Sequence, residues 1–195
     1  MSCPIKNAII SVYDKRGVIE LARFLRERKV NIISSGGTAK LLEENGIDVQ
    51  FVSDYTGFPE ILDGRVKTLH PRVHSGILAR NTKAHLDTLF EHKIPPIDLV
   101  VVNLYPFEET VSRAGVTMEE AIEMIDIGGP TMIRAAAKNF SRVTVVSDPD
   151  NYATLKKMIL QGKIKYETRL QWAIDVFSKT VEYDRSILTY LQKNQ

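Results

Sequence analysis

The chain has a single cysteine, Cys3, so no disulfide can form within it and no cysteine-based metal cluster can be built. That usage fits a reducing compartment, with Cys3 as a bystander near the chain start. Neither sign of charge prevails. Twenty-six basic and 24 acidic side chains leave a net charge of +2, which gives no bulk attraction to nucleic acid or to a membrane surface. Long apolar runs are missing too. The longest, Leu99 to Val102, is far too short to span a bilayer. Met1 to Lys6 lack the apolar core of a signal peptide, so a cytoplasmic location is expected. There is no linker, repeat or low-complexity segment. His70 and His74 are four apart, but no acidic residue in the ten positions after His74 completes a ligand set. Pro71 argues against a regular helix through both histidines. No metal site is expected.

What is present is ordinary in bulk and informative in order. A 195-residue chain with 44% hydrophobic and 26% charged residues can build one domain with a full core. Apolar β-rich runs alternate with amphipathic stretches. Strands are expected at Asn7–Val12, Asn31–Ser34, Val49–Val52, Asp98–Asn103 and Val143–Val146. Helices are expected at Val18–Arg28, Ala39–Asn45 and Ala84–His92, with Thr38 capping the second and Gly46 ending it. Thr117-Met118-Glu119-Glu120 forms a capping box, and Pro130 opens a helix running to Asn139. Residues 53–80 read as a long polar loop, and such loops are usually functional. After Pro149 three helices are expected, at about 149–161, 166–181 and 182–192. The order predicts an α/β fold with a parallel sheet of about five strands and helices on both faces. Residues 1–195 are expected to form one domain, with an α/β core at 1–147 and a helical extension at 148–195 packed on it.

Several segments carry chemistry. Ser35-Gly36-Gly37-Thr38 lies between a strand and a helix, at the carboxyl end of a strand where parallel sheets bind ligands. Its glycines let backbone approach a phosphate, and the helix start offers free N–H groups. Such a turn is as readily a plain turn. It is neither a Walker loop nor a dinucleotide fingerprint, both of which need longer glycine spacings. Asp14-Lys15 follows the first strand on the same edge, so Lys15 can reach the same anion. Arg65-Val66-Lys67-Thr68 adds a guanidinium, an ammonium and a hydroxyl. If that segment is extended, Arg65 and Lys67 point the same way. Asn103 and Tyr105 emerge from the fourth strand at the same edge. An amide there can read a base, and a phenol can relay a proton. Asp126-Ile127-Gly128-Gly129 precedes a helix whose amides can stabilise an oxyanion. Lys138 lies twelve residues beyond Asp126, among the small side chains Ala135, Ala136 and Ala137.

Together these segments resemble the inosine monophosphate (IMP) cyclohydrolase domain of the bifunctional purine-biosynthesis enzyme, which also carries a formyltransferase. The resemblance rests on Ser11 to Lys15, Ser35 to Thr38, Thr56 to Glu60, Gly64 to Pro71, Asn103 to Phe107, Asp126 to Gly129 and Ala135 to Asn139, in matching order and spacing. It implies a methylglyoxal-synthase-like fold, no cofactor, and closure of 5-formamido-imidazole-4-carboxamide ribonucleotide (FAICAR) to IMP with loss of water. It places Lys15, Ser35, Thr38, Arg65 and Thr68 around the 5′-phosphate, beside Tyr13, Asp14, Gly36 and Gly37. It places Lys67, Asn103, Tyr105, Asp126, Ile127, Gly128, Gly129 and Lys138 around the base and the reacting groups. Lys67 and the amides near Ile127–Gly128 would face the oxyanion. Asp126 would hold the carboxamide, and Lys138 and Tyr105 would carry protons. Tyr13 stands where members of the family often have serine.

Members of the family continue into a formyltransferase domain, so the chain is expected to be a stand-alone cyclohydrolase or a fragment, served by a separate formyltransferase. A homodimer is expected, with the nucleotide as its small-molecule partner. Two other readings share the fold: a regulatory module that binds a phosphate or nucleotide without catalysis, and a phosphate-eliminating methylglyoxal synthase. The joint presence of Lys67, Asp126 and Lys138 favours the cyclohydrolase.

Overall fold

The computed structural model describes residues 5–105, 107–113 and 115–194; Cys3 and Pro106 lie outside the described residues. Five strands form one parallel sheet: β1 (Asn7–Ser11), β2 (Asn31–Ser34), β3 (Gln50–Phe51), β4 (Leu99–Val102) and β5 (Thr144–Val146). Their spatial order is β3-β2-β1-β4-β5. The central strands read Ala-Ile-Ile and Leu-Val-Val-Val because both faces of the sheet are covered. Ala8, Ile9, Ile10, Leu99, Val100 and Val101 have no exposed surface. Each buried Ile, Leu or Val contributes about 1.5–3 kcal/mol.

Ten helices are described: α1 (Val18–Glu27), α2 (Gly36–Glu44), α3 (Val52–Thr56), α4 (Pro71–Leu78), α5 (Lys83–Glu91), α6 (Phe107–Val111), α7 (Met118–Glu123), α8 (Gly128–Lys138), α9 (Tyr152–Leu160) and α10 (Tyr166–Lys193). The chain runs outward from β1 through β2 to β3, then returns to β4 on the other side of β1. Crossovers in parallel sheets are right-handed, so this reversal places helices on opposite faces. The expected α/β class is what is observed. No helix among the described residues is long and apolar enough to cross a membrane.

Four local expectations change. The helix after β2 starts at Gly36, three positions earlier than expected, with Ser35 as its N-cap. Thr38 is therefore inside α2, and its hydroxyl bonds Val12 instead of capping. The stretch expected as one long polar loop, residues 53–80, instead holds the end of α3, a 3₁₀ turn at 62–64 and all of α4, with irregular backbone between them. Pro71 does not obstruct α4 but begins it, since proline at a first helical position is preorganised. His70 caps that helix, its Nδ1 accepting from Arg72 N at 3.1 Å. α8 begins at Gly128, so Pro130 is its third residue. The last two expected helices are one. α10 carries a continuous buried stripe through Trp172, Ala173, Val176, Thr180 and Tyr183, with no proline or glycine to interrupt it. The capping box at Thr117 and Glu120 is present in both directions.

At the edge where strands begin, Arg142 and Asn139 hold the end of α4. Arg142 donates to the carbonyls of Gly76 (2.6 Å) and Ala79 (2.7 Å), and Asn139 Nδ2 to those of Ile77 (2.7 Å) and Ala79 (2.9 Å). Asp98 lies 3.6 Å from Arg142 and accepts from the amides of Lys6 and Asn7. The candidate site is at the opposite edge.

Candidate functional site

β1 and β4 are neighbours, yet the chain leaves them in opposite directions. Their carboxyl ends therefore flank a topological switch point, where open parallel sheets take ligands. Asn103, just past β4, bridges this point. Its Oδ1 accepts from the amides of Tyr13 (2.6 Å) and Asp14 (3.0 Å), and its Nδ2 donates to Asp14 O (3.1 Å). The expected base-reading amide is thus occupied in fixing the β1 turn. Asp14 is also turned away. Its carboxylate accepts from Arg16 N (2.9 Å) and Arg16 Nε (2.7 Å), and the Arg16 amide holds it below the usual carboxylate range.

Two ammonium groups meet beside that turn. Lys15 Nζ donates to Thr38 Oγ1 at 2.8 Å and to Val12 O. Burial, and secondly the Lys67 charge, push its pKa down. Lys67 Nζ lies 3.0 Å from where a Cβ on Gly36 would be, at the first residue of α2. Gly36 also has φ of +52°, so backbone conformation and ammonium both call for glycine there. Among the described residues, neither lysine forms an ion pair with a carboxylate. The hydroxyls of Ser11 and Ser35 lie 3.2 Å apart at the same edge. A Cβ on Gly37 would meet nothing, so that side of the turn is open. Two ammoniums, three hydroxyls and a helix start are groups of the kind that bind anions.

The chemistry end is built on the start of α8. Asp126 Oδ1 accepts from Gly129 N at 2.9 Å. Burial raises the Asp126 pKa; the Gly129 amide, the Lys67 charge and the Gly128 amide oppose that rise without cancelling it. The Gly128 amide, expected to face an oxyanion, lies near the same carboxylate. The two glycines are needed for different neighbours. A Cβ on Gly129 would overlap the Asp126 carboxylate, and one on Gly128 would overlap the hydroxyl of the buried Thr68. Tyr105 stands over the Tyr13 ring, centroids 5.1 Å apart at 55°. Burial raises its pKa first, then the charges of Asp126 and Tyr13. Ile127 is 56% exposed at the opening of α8.

The structure thus brings Lys15, Ser35, Gly36, Gly37, Thr38, Lys67, Thr68, Tyr105, Asp126, Gly128 and Gly129 to one edge. Besides Asp14, two expected members stand apart. Residues 62–64 form a 3₁₀ turn, with Leu62 and Asp63 at positive φ, so the segment around Arg65 is not extended. Arg65 is turned to Glu123 on α7, while Lys67 turns to Gly36. Lys138 is the last residue of α8 and exposed. Ten residues of helix carry it about 15 Å from Gly128, toward the edge held by Asn139 and Arg142. Within this chain it is not part of the site. His74, inside α4, has its pKa lowered by burial, and its Nε2 is buried without a hydrogen-bond partner among the described residues.

Three contributors escaped sequence reasoning. Ser11 ends β1 and was legible from that place alone. Glu123 and Tyr183 had no local signal. Tyr183 Oη accepts the amide N–H of Asp126 at 2.7 Å from α10. The apolar groove lined by Leu86, Phe90, Ile94 and Pro95 shares no residue with this site.

Comparison with known proteins agrees with this fold. The family model "MGS-like domain" matches residues 17–131, and the model "AICARFT/IMPCHase bienzyme" matches residues 136–195. The bifunctional purine biosynthesis protein PurH of Caldicellulosiruptor bescii is 56% identical over 189 residues, covering 96% of this chain and 37% of the relative. PurH of Desulfitobacterium hafniense is 55% identical over 187 residues, 95% of this chain and 36% of the relative. The chain therefore spans under two fifths of the length of these curated relatives. The crystal structure of ForH superposes with a TM-score of 0.84 at 38% identity, covering 94% of this chain and 95% of that one. With the family model covering more than half of its length, the chain belongs to the MGS-like domain family, in the branch related to the purine biosynthesis protein PurH.

Proposed function

We propose that this chain is an IMP cyclohydrolase, closing FAICAR to IMP in purine biosynthesis. The observation that carries the proposal is the two ammoniums, Lys15 and Lys67, which form no ion pair among the described residues and are set between the α2 start and a half-buried Asp126. The relatives named as bifunctional purine biosynthesis proteins support it.

Lys15, Thr38, Ser35, Ser11 and the start of α2 would take the 5′-phosphate. Arg65 would join them on leaving Glu123. The base then extends across the switch point toward Asp126 and Tyr105. In the reaction the carboxamide nitrogen bonds to the formyl carbon, and the formyl oxygen leaves as water. That water takes two protons, one from the carboxamide nitrogen and one from the formamido nitrogen. The reaction as written consumes no cofactor. A carboxamide is a poor nucleophile, so holding the two groups together is the first contribution, about 7–11 kcal/mol for well-oriented reactants. Lys67 would stabilise the oxyanion on the formyl carbon, a role typically worth about 3–4 kcal/mol. Asp126 would accept the carboxamide proton, which its raised pKa favours. Tyr105 beside it would pass a proton to the leaving oxygen.

Residues 1–195 would act as one domain, the helical extension supporting the α/β core, in the cytoplasm. The seam Leu170, Ile174, Phe177, Val181 and Leu188 along α10 is exposed and heptad-spaced, which supports pairing of two copies through this face. The formyl group would come from a formyltransferase, fused or separate. The test is a spectrophotometric cyclisation assay on purified chain supplied with FAICAR. IMP should form, at the same rate in the presence of a chelator. Folded protein that binds IMP but forms none would be a binding module, and the proposal would fall.

A further inference from the structure

We propose that Tyr183, on the C-terminal helix, is a positioning residue that sets the place of Asp126 and Tyr105; its activity arm rests on the cyclohydrolase reading above. Residues 124–127 join α7 to α8, and the amide of Asp126 finds no helical carbonyl there. Tyr183 Oη accepts that N–H at 2.7 Å and donates to Met124 O at 3.4 Å. The side chain is buried, at 8% exposure, so water does not compete for the Asp126 amide. Asp126 is then held at both ends: its backbone by Tyr183, its carboxylate by the Gly129 amide at 2.9 Å.

The same ring reaches the Tyr105 segment. Tyr183 packs edge-on against Phe107, centroids 6.3 Å apart at 73°, and Tyr190 packs on Phe107 at 5.8 Å and 87°. Phe107 N donates to Tyr105 O at 2.9 Å, so its place fixes that of Tyr105. One side chain from α10 thus ties together the two segments that carry the proton-transfer groups. The MGS-like model ends at residue 131, and α10 lies wholly within the second family model. The C-terminal helix is on this view what adapts a phosphate-binding fold to this chemistry.

The test is Tyr183→Phe, which removes one oxygen and keeps the ring. Amide exchange, read residue by residue, should quicken about tenfold or more at Asp126 while the β1 amides keep their protection. The Asp126 carboxyl titration, followed by NMR, should move. In turnover, kcat should fall about tenfold with KM within about threefold, and the acid limb of the kcat profile should shift with the titration. Unchanged exchange at Asp126 would overturn the proposal, because the bond would not exist. Quickened exchange with unchanged kcat would also overturn it, leaving Tyr183 merely structural. Should the wild-type chain not cyclise FAICAR, the cyclohydrolase reading falls, while exchange and titration still decide whether Tyr183 holds Asp126.

Discussion

Arg65 donates through two nitrogens to the Glu123 carboxylate, Nε lying 3.3 Å from Oε2, and both side chains are more than half exposed. The guanidinium expected at the phosphate is thus held by an internal anion. An exposed pair of this kind is worth at most about 1 kcal/mol. A phosphate dianion can displace it easily. Glu123→Gln should free Arg65 and lower KM by up to about fivefold, with kcat unchanged. Arg65→Ala should raise KM. Steady-state kinetics on the two variants decide the matter, and a higher KM for Glu123→Gln would show that the carboxylate is not a competitor.

The two glycines that open α8 separate binding from chemistry. Alanine in a helix is ordinarily about 1 kcal/mol better than glycine. Here the added methyl collides with a neighbour in each case. Gly129→Ala should displace the Asp126 carboxylate and lower kcat about 10²-fold with little change in KM. Gly128→Ala should displace Thr68 and act mainly on KM. Neither should raise the melting temperature. A Gly129→Ala enzyme with normal kcat would remove Asp126 from the mechanism.

Much of this was legible before any coordinates. The alternation of Ala8-Ile9-Ile10 and Leu99 to Val102 with amphipathic stretches announced the doubly covered parallel sheet. Glycine-rich turns after β2 and before α8 marked the two ends of the candidate site. What stayed hidden depended on contacts between distant segments. Nothing near Arg65 in sequence foretells Glu123, 58 residues away, and nothing near Asp126 foretells Tyr183, 57 residues away. Lys138 misled for the opposite reason. Twelve residues from Asp126 is close in sequence, but α8 turns that separation into distance. Pro71 misled because its helical meaning depends on position: a breaker inside a helix is a starter at its first residue.

Asp126 should show a conflict between stability and activity. Burial raises its pKa above the ordinary 3.8. A carboxyl raised on folding keeps its proton where the unfolded chain has lost it. Its contribution to stability is therefore full below the unfolded value and is lost as pH rises through the folded one. Near neutral pH the charged Asp126 costs stability. Asp126→Asn keeps an oxygen for the Gly129 amide and removes that cost. The variant should melt higher than wild type near neutral pH, the gap closing as pH falls below the ordinary carboxylate value. It should also lose cyclisation. Thermal melts across pH test this, and a variant less stable than wild type at neutral pH would contradict it.

Lys15 carries the same conflict with the opposite charge, and on the proposed function it would make nucleotide binding a protonation event. Burial and the Lys67 charge hold its pKa below the ordinary 10.5. A lysine depressed on folding contributes stability above its unfolded value and loses it as pH falls through the folded one, so at neutral pH its charge costs stability. A phosphate dianion beside the two ammoniums reverses the balance and raises the Lys15 pKa. IMP should therefore bind with proton uptake at alkaline pH, and its affinity should fall as pH rises through the Lys15 value of the free protein. Titration calorimetry in buffers of different ionisation enthalpy measures the uptake directly. Lys15→Met should abolish most of it, weaken IMP binding and raise the melting temperature of the ligand-free protein. In turnover the same variant should raise KM far more than it lowers kcat, because a phosphate contact acts alike in ground and transition states. Proton uptake left intact in Lys15→Met would move the anion site to Lys67 alone. A variant that bound IMP normally would remove the phosphate from this turn altogether.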